Sequence, residues 1–326
     1  MLLATSAIVV GFIVLVWGAD RFVMGAAALA HNLGVSPLLI GLTIVSFGTS
    51  APEILVSAMA AFGGTPSLAI GNAVGSNIAN IGLILGVTAL IAPLLFQSHV
   101  LLREYPILLA VSAGVYLLMI DGQLSFLDGL IMLAALAVTL TLLVRIGIAR
   151  SASDPMSGEY EAEIRADLST FAAVMWFLAG LALLLVSSRM LVWGAVEIAT
   201  AMGVSDLVIG LTIVAIGTSL PELAASVMSA LKDEPDIAVG NVIGSNIYNL
   251  LAVLCIPGLV SAPAISDEVL SRDLPVMLGL TLVLFLMGRG RNGDGHINRI
   301  EGSILLLCFV GYQGWLYFET TRAVTA

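Results

Sequence analysis

Apolar runs separated by short polar or Gly/Pro punctuation divide the chain into ten stretches, at about 3–30, 38–62, 68–95, 103–120, 125–148, 170–201, 207–231, 237–262, 272–288 and 300–319. Most are long enough, at ~1.5 Å of rise per helical residue, to cross a hydrocarbon layer of about 30 Å. The polar residues inside them recur. Gly41 to Glu53 reads GLTIVSFGTSAPE and Gly210 to Glu222 reads GLTIVAIGTSLPE, an offset of 169 residues with ten of thirteen positions identical. The same offset aligns GNAVGSNIAN (71–80) with GNVIGSNIYN (240–249), and Arg103-Glu104-Tyr105-Pro106 with Arg272-Asp273-Leu274-Pro275. One five-span unit is therefore encoded twice. An odd number of spans turns the second copy over. The expected fold is an all-α polytopic membrane protein of ten transmembrane helices, built as two inverted five-helix repeats with helices broken at the midplane. The repeats are 1–149 and 169–326, joined by a short acidic linker at 150–168.

Composition agrees with a membrane protein: 59% of residues are hydrophobic, 10% are charged, and mean hydropathy is +1.08. A net charge of −10 leaves no basic face for nucleic acid. The N-terminal apolar run starts at Leu2 without a basic segment and continues past Trp17, which reads as a first membrane helix rather than a cleaved signal. Arg103, Arg145, Arg150, Arg165, Lys232, Arg289, Arg291 and Arg299 fall on one side of the expected topology, and Arg272 and Arg322 on the other. Basic residues accumulate on the cytoplasmic side, so both termini are expected outside the cytoplasm and the linker inside. Arg21 and Arg189 lie within spans and are expected to reach toward an interface. Cys255 and Cys308 read as small residues within spans. Two stretches mimic other motifs. The linker carries five acids around turn signals. Asn292, Asp294, Gly295, Ile297 and Glu301 imitate part of an EF-hand loop, but Gly290 stands where its first ligand should be. A helix N-cap at Ser125 or Asn298, with an acid three residues on, explains that stretch and its counterpart in the first half.

The chemistry concentrates at the two GTSxPE runs. A proline within a helix removes one N–H and collides with the carbonyl four residues back, so each helix should break there. Broken helices survive at membrane depth where they line a polar cavity, and their backbone carbonyls can then face a cation. The expected contributors are carbonyls near Ser46 and Ala215 and the hydroxyls of Thr49, Ser50, Thr218 and Ser219. Glu53 and Glu222 are ionisable groups deep in apolar sequence, where an acid serves no packing purpose. Inversion brings them face to face, and a cation or protons must share them. The following span adds a stripe at every fourth residue, Asn72, Ser76 and Asn80 in one half and Asn241, Ser245 and Asn249 in the other. Asn77 and Asn246 fit either a packing or a lining role. Carboxylate, amide, hydroxyl and carbonyl oxygens suit a hard cation that takes six to eight of them. His31, His99 and His296 lie at span ends or in loops, which argues against zinc or copper. No nucleophile and base pair up at depth, so the chain does not read as an enzyme. Nothing in it calls for a cofactor or an obligate protein partner.

Paired GTSxPE runs, each followed by GNxxGSNIxN, resemble the duplicated repeats of sodium/calcium exchangers in the cation/calcium antiporter superfamily, in particular the short prokaryotic members. The likeness spans essentially the whole chain. It implies an antiporter in a prokaryotic plasma membrane that exchanges Na+ for Ca2+ by alternating access, its first and sixth helices sliding across a core of the other eight. It also implies acidic ligands at Glu53 and Glu222, with oxygen ligands from Thr49, Ser50, Ser76, Asn80, Thr218, Ser219, Ser245 and Asn249. Many relatives carry an aspartate at one of the positions held here by Asn80 and Asn249. Two amides limit this site to two negative charges and lean toward K+-independence. A Ca2+/H+ antiporter using the same glutamates is the competing reading.

Overall fold

The computed structural model describes residues 1–96, 98–151, 168–203, 215–287 and 295–325. Nearly all of them are helical. We number the helices α1 (Leu2–Leu33), α2 (Pro37–Thr49), α3 (Ala51–Phe62), α4 (Pro66–Ile91), α5 (Ser98–Met119), α6 (Phe126–Ser151), α7 (Thr170–Ala201), α8 (Ala215–Thr218), α9 (Leu220–Leu231), α10 (Pro235–Ser261), α11 (Val269–Met287) and α12 (Arg299–Thr325). Among the described residues six helices are long and apolar enough to cross a membrane, or seven if α2 and α3 are counted as one bent span. Most of the 150–168 linker, the start of the 207–231 span, and the EF-hand-like residues up to Asp294 lie outside the described residues.

Local chemistry sets the helix ends. Gly34 closes α1 in the left-handed region at φ 63°, its N–H donated to the His31 carbonyl while the Val35 N–H goes to the Ala30 carbonyl, each at 3.0 Å. A side chain there would be strained, which suits glycine. Ser36 then caps α2, its Oγ accepting the Leu39 N–H at 3.3 Å, and Pro37 fills the first helical position. The N-caps expected at the last helix of each half are present as reciprocal boxes. Ser125 Oγ accepts the Asp128 N–H at 3.2 Å while Asp128 Oδ2 accepts the Ser125 N–H at 2.8 Å. Asn298 Oδ1 accepts the Glu301 N–H at 3.0 Å while Glu301 Oε2 accepts the Asn298 N–H at 2.8 Å. A two-stranded antiparallel ribbon, β1 (Leu94–Phe96) with β2 (Gly295–Ile297), pairs Leu94 with Ile297. The apolar run expected as helix to residue 95 thus ends its helix at Ile91. Ala92 is extended and Pro93 follows, so the chain is free to pair as a strand.

Burial divides the helices into two groups. In the most apolar stretches of α4 and α10, 72% and 83% of the residues are buried, against 28% in those of α1 and α7. The first pair forms the centre of the molecule and the second its margin. α1 and α7 pack against each other along their length, with Phe22 and Phe177 stacked at 4.7 Å. Gly180 has the Phe22 backbone against it, so the two chains meet without intervening side chains, as small residues allow between membrane helices. Their outer faces carry Phe12, Ile13, Trp17, Phe171 and Val186, all exposed, which suits contact with lipid. Gly240 and Gly244 likewise bring α10 against α2. No described atom lies within 4 Å of a Cβ built on Gly71 or Gly75. Among the described residues, polar links between the marginal pair and the rest are few. Asp20 of α1 pairs with Lys232 after α9 at 2.7 Å, and Ser188 of α7 donates to the Gly217 carbonyl of α8 at 2.7 Å. Arg21 lies over the rings of Trp17 and Trp176, at 5.7 and 5.0 Å.

Candidate functional site

Both GTSxPE runs break their helices. The chain turns by 43° between α2 and α3, with Ser50 at φ −80°, ψ 4°, and Ser219 between α8 and α9 adopts φ −89°, ψ 6°. In each case the proline occupies the first turn of the second half-helix, where a missing N–H is tolerated. Glu53 and Glu222 therefore sit in the first turns of α3 and α9. The free N–H groups and partial positive charge of a helix N-terminus favour a carboxylate there, which helps to hold an acid away from water. Both side chains are buried, at 1% and 2% exposure.

The two runs are knitted to each other. Ser50 Oγ donates to Glu222 Oε1 at 3.4 Å, so a hydroxyl of the first break touches the carboxylate of the second. Thr49 Oγ1 donates to Asn241 Oδ1 at 3.1 Å, and Asn241 Nδ2 donates to Ser226 Oγ at 3.1 Å and to the Glu222 carbonyl at 3.4 Å. Asn241 thus spends its amide on bracing the two breaks. Its counterpart Asn72 donates to the Glu53 carbonyl at 3.5 Å. Asn80 Nδ2 donates to Asn246 Oδ1 at 3.0 Å, joining α4 to α10 and giving Asn246 a direct part in the polar centre. The amide orientation follows from that pairing and leaves Asn80 Oδ1 unused.

Ser76 is buried on α4, and Ser219, Ser245 and Asn249 are buried at the second break and along α10. Asn80 and Asn249 each open a widened π-helical stretch, Asn80–Leu85 and Asn249–Val253, a distortion that frees backbone groups. Ser46 turns its hydroxyl to the Leu42 carbonyl at 2.8 Å, and its own carbonyl accepts the Ser50 N–H at 3.0 Å and the Thr49 hydroxyl at 3.4 Å. Ala215 opens α8, and Thr218 ends it, half-buried and lining a cleft between α3 and α7. Six buried oxygens of the candidate set accept no hydrogen bond and donate none: Glu53 Oε2, Glu222 Oε2, Asn80 Oδ1, Asn249 Oδ1, Ser219 Oγ and Ser245 Oγ. Leaving a buried polar atom unpaired costs about 1–3 kcal/mol. So many unpaired oxygens on interlocked elements is an arrangement that a hard cation relieves.

Three participants were not singled out from sequence. Ser57 and Ser226 occupy the same place in the two halves, at the 169-residue offset, and that coincidence could have found them. They do different work: Ser57 Oγ donates to the Val253 carbonyl at 2.9 Å, at the end of a π stretch, while Ser226 receives Asn241. Ser188 has no counterpart, since Ala19 stands at its mirror position.

The model of the sodium/calcium exchanger protein family matches residues 3–145 and 172–318. The chain belongs to that family. It is 50% identical over 318 residues to the putative antiporter CaxA of Alkalimonas amylolytica, covering 97% of this chain and 99% of that protein. It is 42% identical to the inner membrane protein YrbG of Escherichia coli (strain K12), covering 98% of both. A solved structure of the sodium-calcium exchanger NCX_Mj superimposes with a TM-score of 0.81 at 32% identity, covering 95% of this chain and 97% of that one. This protein is therefore an integral membrane antiporter for Ca2+ and a counter-cation, and not an enzyme.

Proposed function

We propose that this exchanger moves Ca2+ against Na+ by alternating access, with Glu53 and Glu222 as the charged ligands of one shared site. The observation that carries the reading is the pairing of two buried carboxylates at the N-termini of half-helices, joined by the Ser50 to Glu222 contact and surrounded by unpaired oxygens. In this reading Thr49, Ser50, Ser76, Asn80, Thr218, Ser219, Ser245 and Asn249 supply oxygens, as do the backbones of Ser46 and Ala215. The helices form two inverted five-helix repeats, 1–149 and 169–326, with the acidic 150–168 segment as a cytoplasmic connection. Both termini lie outside the cytoplasm of a prokaryotic plasma membrane. The marginal pair α1 and α7 moves across the remainder, which the sparse polar links between them among the described residues support.

The competing coupling ion is H+, carried by the same two glutamates. Purified protein in proteoliposomes, loaded with radiolabelled Ca2+ and given separate Na+, K+ and pH gradients, distinguishes them. The proposal expects Ca2+ movement that follows the Na+ gradient and ignores K+. Movement that follows the pH gradient and ignores Na+ selects the H+ reading.

A further inference from the structure

Pro52 and Pro221 each deprive a carbonyl four residues earlier of its ordinary helical partner, and those carbonyls belong to Gly48 and Gly217; the Gly48 carbonyl takes a backbone N–H at the end of its own half-helix instead. The second is capped from outside its own helix: Ser188 Oγ on α7 donates to it at 2.7 Å, with Ser188 at 6% exposure. Gly217 permits the approach, since a Cβ there would overlap the Val192 side chain of α7. At the mirror position α1 carries Ala19, which is buried and has no hydroxyl to offer Gly48. Resting on the alternating-access reading above, inversion symmetry makes the opposite-facing state the one in which α1 takes up toward the first break the relation α7 now has toward the second.

The geometry points to Ser188 as a one-sided cap that stabilises this conformation over its mirror image and so makes the two facing states of the carrier unequal. Moving α7 breaks the hydrogen bond to the Gly217 carbonyl, and α1 offers no equivalent hydroxyl to Gly48, whose carbonyl is met by a backbone N–H of its own break. Ser188 touches no ion in this scheme. It is a positioning residue that acts through the second break.

The test compares the native protein with Ser188→Ala, Ser188→Thr and Ala19→Ser. Two readouts are used in the same reconstituted preparations. The first is the half-saturating Ca2+ concentration for transport, measured separately from the two sides of the membrane. Ser188→Ala should move the two values in opposite directions and change their ratio by about threefold to tenfold, as expected for one hydrogen bond. Ser188→Thr, which keeps the hydroxyl, should restore the native ratio. The second readout needs no transport: spin labels at Phe171→Cys on α7 and Leu231→Cys on α9, both exposed positions, in a Cys308→Ser background. The distance distribution should lose weight at the separation seen here in Ser188→Ala, and also in Ala19→Ser, which supplies the missing cap to the other state without removing any contact. Native distributions and native sidedness in both Ser188→Ala and Ala19→Ser would overturn the inference. Absence of Na+-driven flux in the native protein would instead overturn the proposed coupling, while the distance measurement still decides the cap.

Discussion

Replacing Asn249 by Asp should move the voltage dependence of the exchange cycle from one limb to the other while leaving the charge moved per cycle unchanged. The acidic side chains at the two breaks are Glu53 and Glu222, both almost fully buried, and the neighbouring Asn80 and Asn249 add no charge. A site holding one Ca2+ is then neutral, and a site holding three Na+ carries one uncompensated positive charge. Carrying one charge across the whole field is worth about 2.3 kcal/mol per 100 mV, roughly a fiftyfold change in the translocation equilibrium. In the native protein that sensitivity belongs to the Na+ limb. Asn249→Asp makes the Na+-loaded site neutral and the Ca2+-loaded site negative, so it passes to the Ca2+ limb with opposite sign. The assay is isotope self-exchange in proteoliposomes held at K+ diffusion potentials, Ca2+ against Ca2+ and Na+ against Na+ at equal concentrations on both sides. The native Ca2+ limb should be flat with voltage and the mutant Ca2+ limb steep. A native Ca2+ limb as steep as the Na+ limb would refute the charge count, and a mutant with both limbs unchanged would place Asn249 outside the site. A Ca2+ reversal point of net exchange that does not depend on voltage would refute the three-for-one stoichiometry itself.

Glu53→Gln and Glu222→Gln keep shape and remove a charge, so each should abolish Ca2+ flux with the protein still folded by circular dichroism and size-exclusion chromatography; native flux in both would sink their assignment. Asn241→Leu removes the brace between Thr49, Ser226 and the Glu222 carbonyl and strands them in a buried setting, which should cost about 1–3 kcal/mol and lower Tm in detergent, an effect absent if water replaces the amide. Glu234, in the turn between α9 and α10, has its pKa raised to about 7 by burial and then by Asp236 and Asp233. A carboxyl raised on folding contributes stability below its unfolded pKa and loses it as pH rises toward 7, so Tm should fall across that window and Glu234→Gln should flatten the fall. A Tm profile identical in that variant removes Glu234 from the pH response.

Sequence alone carried the duplication, because two copies of a costly pattern at one offset cannot arise from packing preference: an acid, a proline and hydroxyls within apolar runs are each unfavourable at membrane depth. It also carried the helix breaks and the capping boxes at Ser125 and Asn298, which are local consequences of backbone chemistry within a few residues. What it could not supply is any relation between residues far apart in the chain that differs between the halves. Repetition predicts equivalent roles for Asn72 and Asn241, yet Asn241 meets Thr49, Ser226 and the Glu222 carbonyl, while among the described residues Asn72 meets only the Glu53 carbonyl. Ser57 and Ser226 diverge in the same way. The reason is physical: two identical half-sites packed around one centre cannot both occupy the same contact, and the conformation adopted gives each bond to one of them. The β1–β2 ribbon was illegible for a related cause, since a three-residue strand has no periodicity of its own and exists through pairing across two hundred residues of chain. Only the tertiary structure decided that the carbonyl released by Pro221 is met by Ser188, because that contact depends on how closely α7 approaches Gly217 and not on any pattern in either segment.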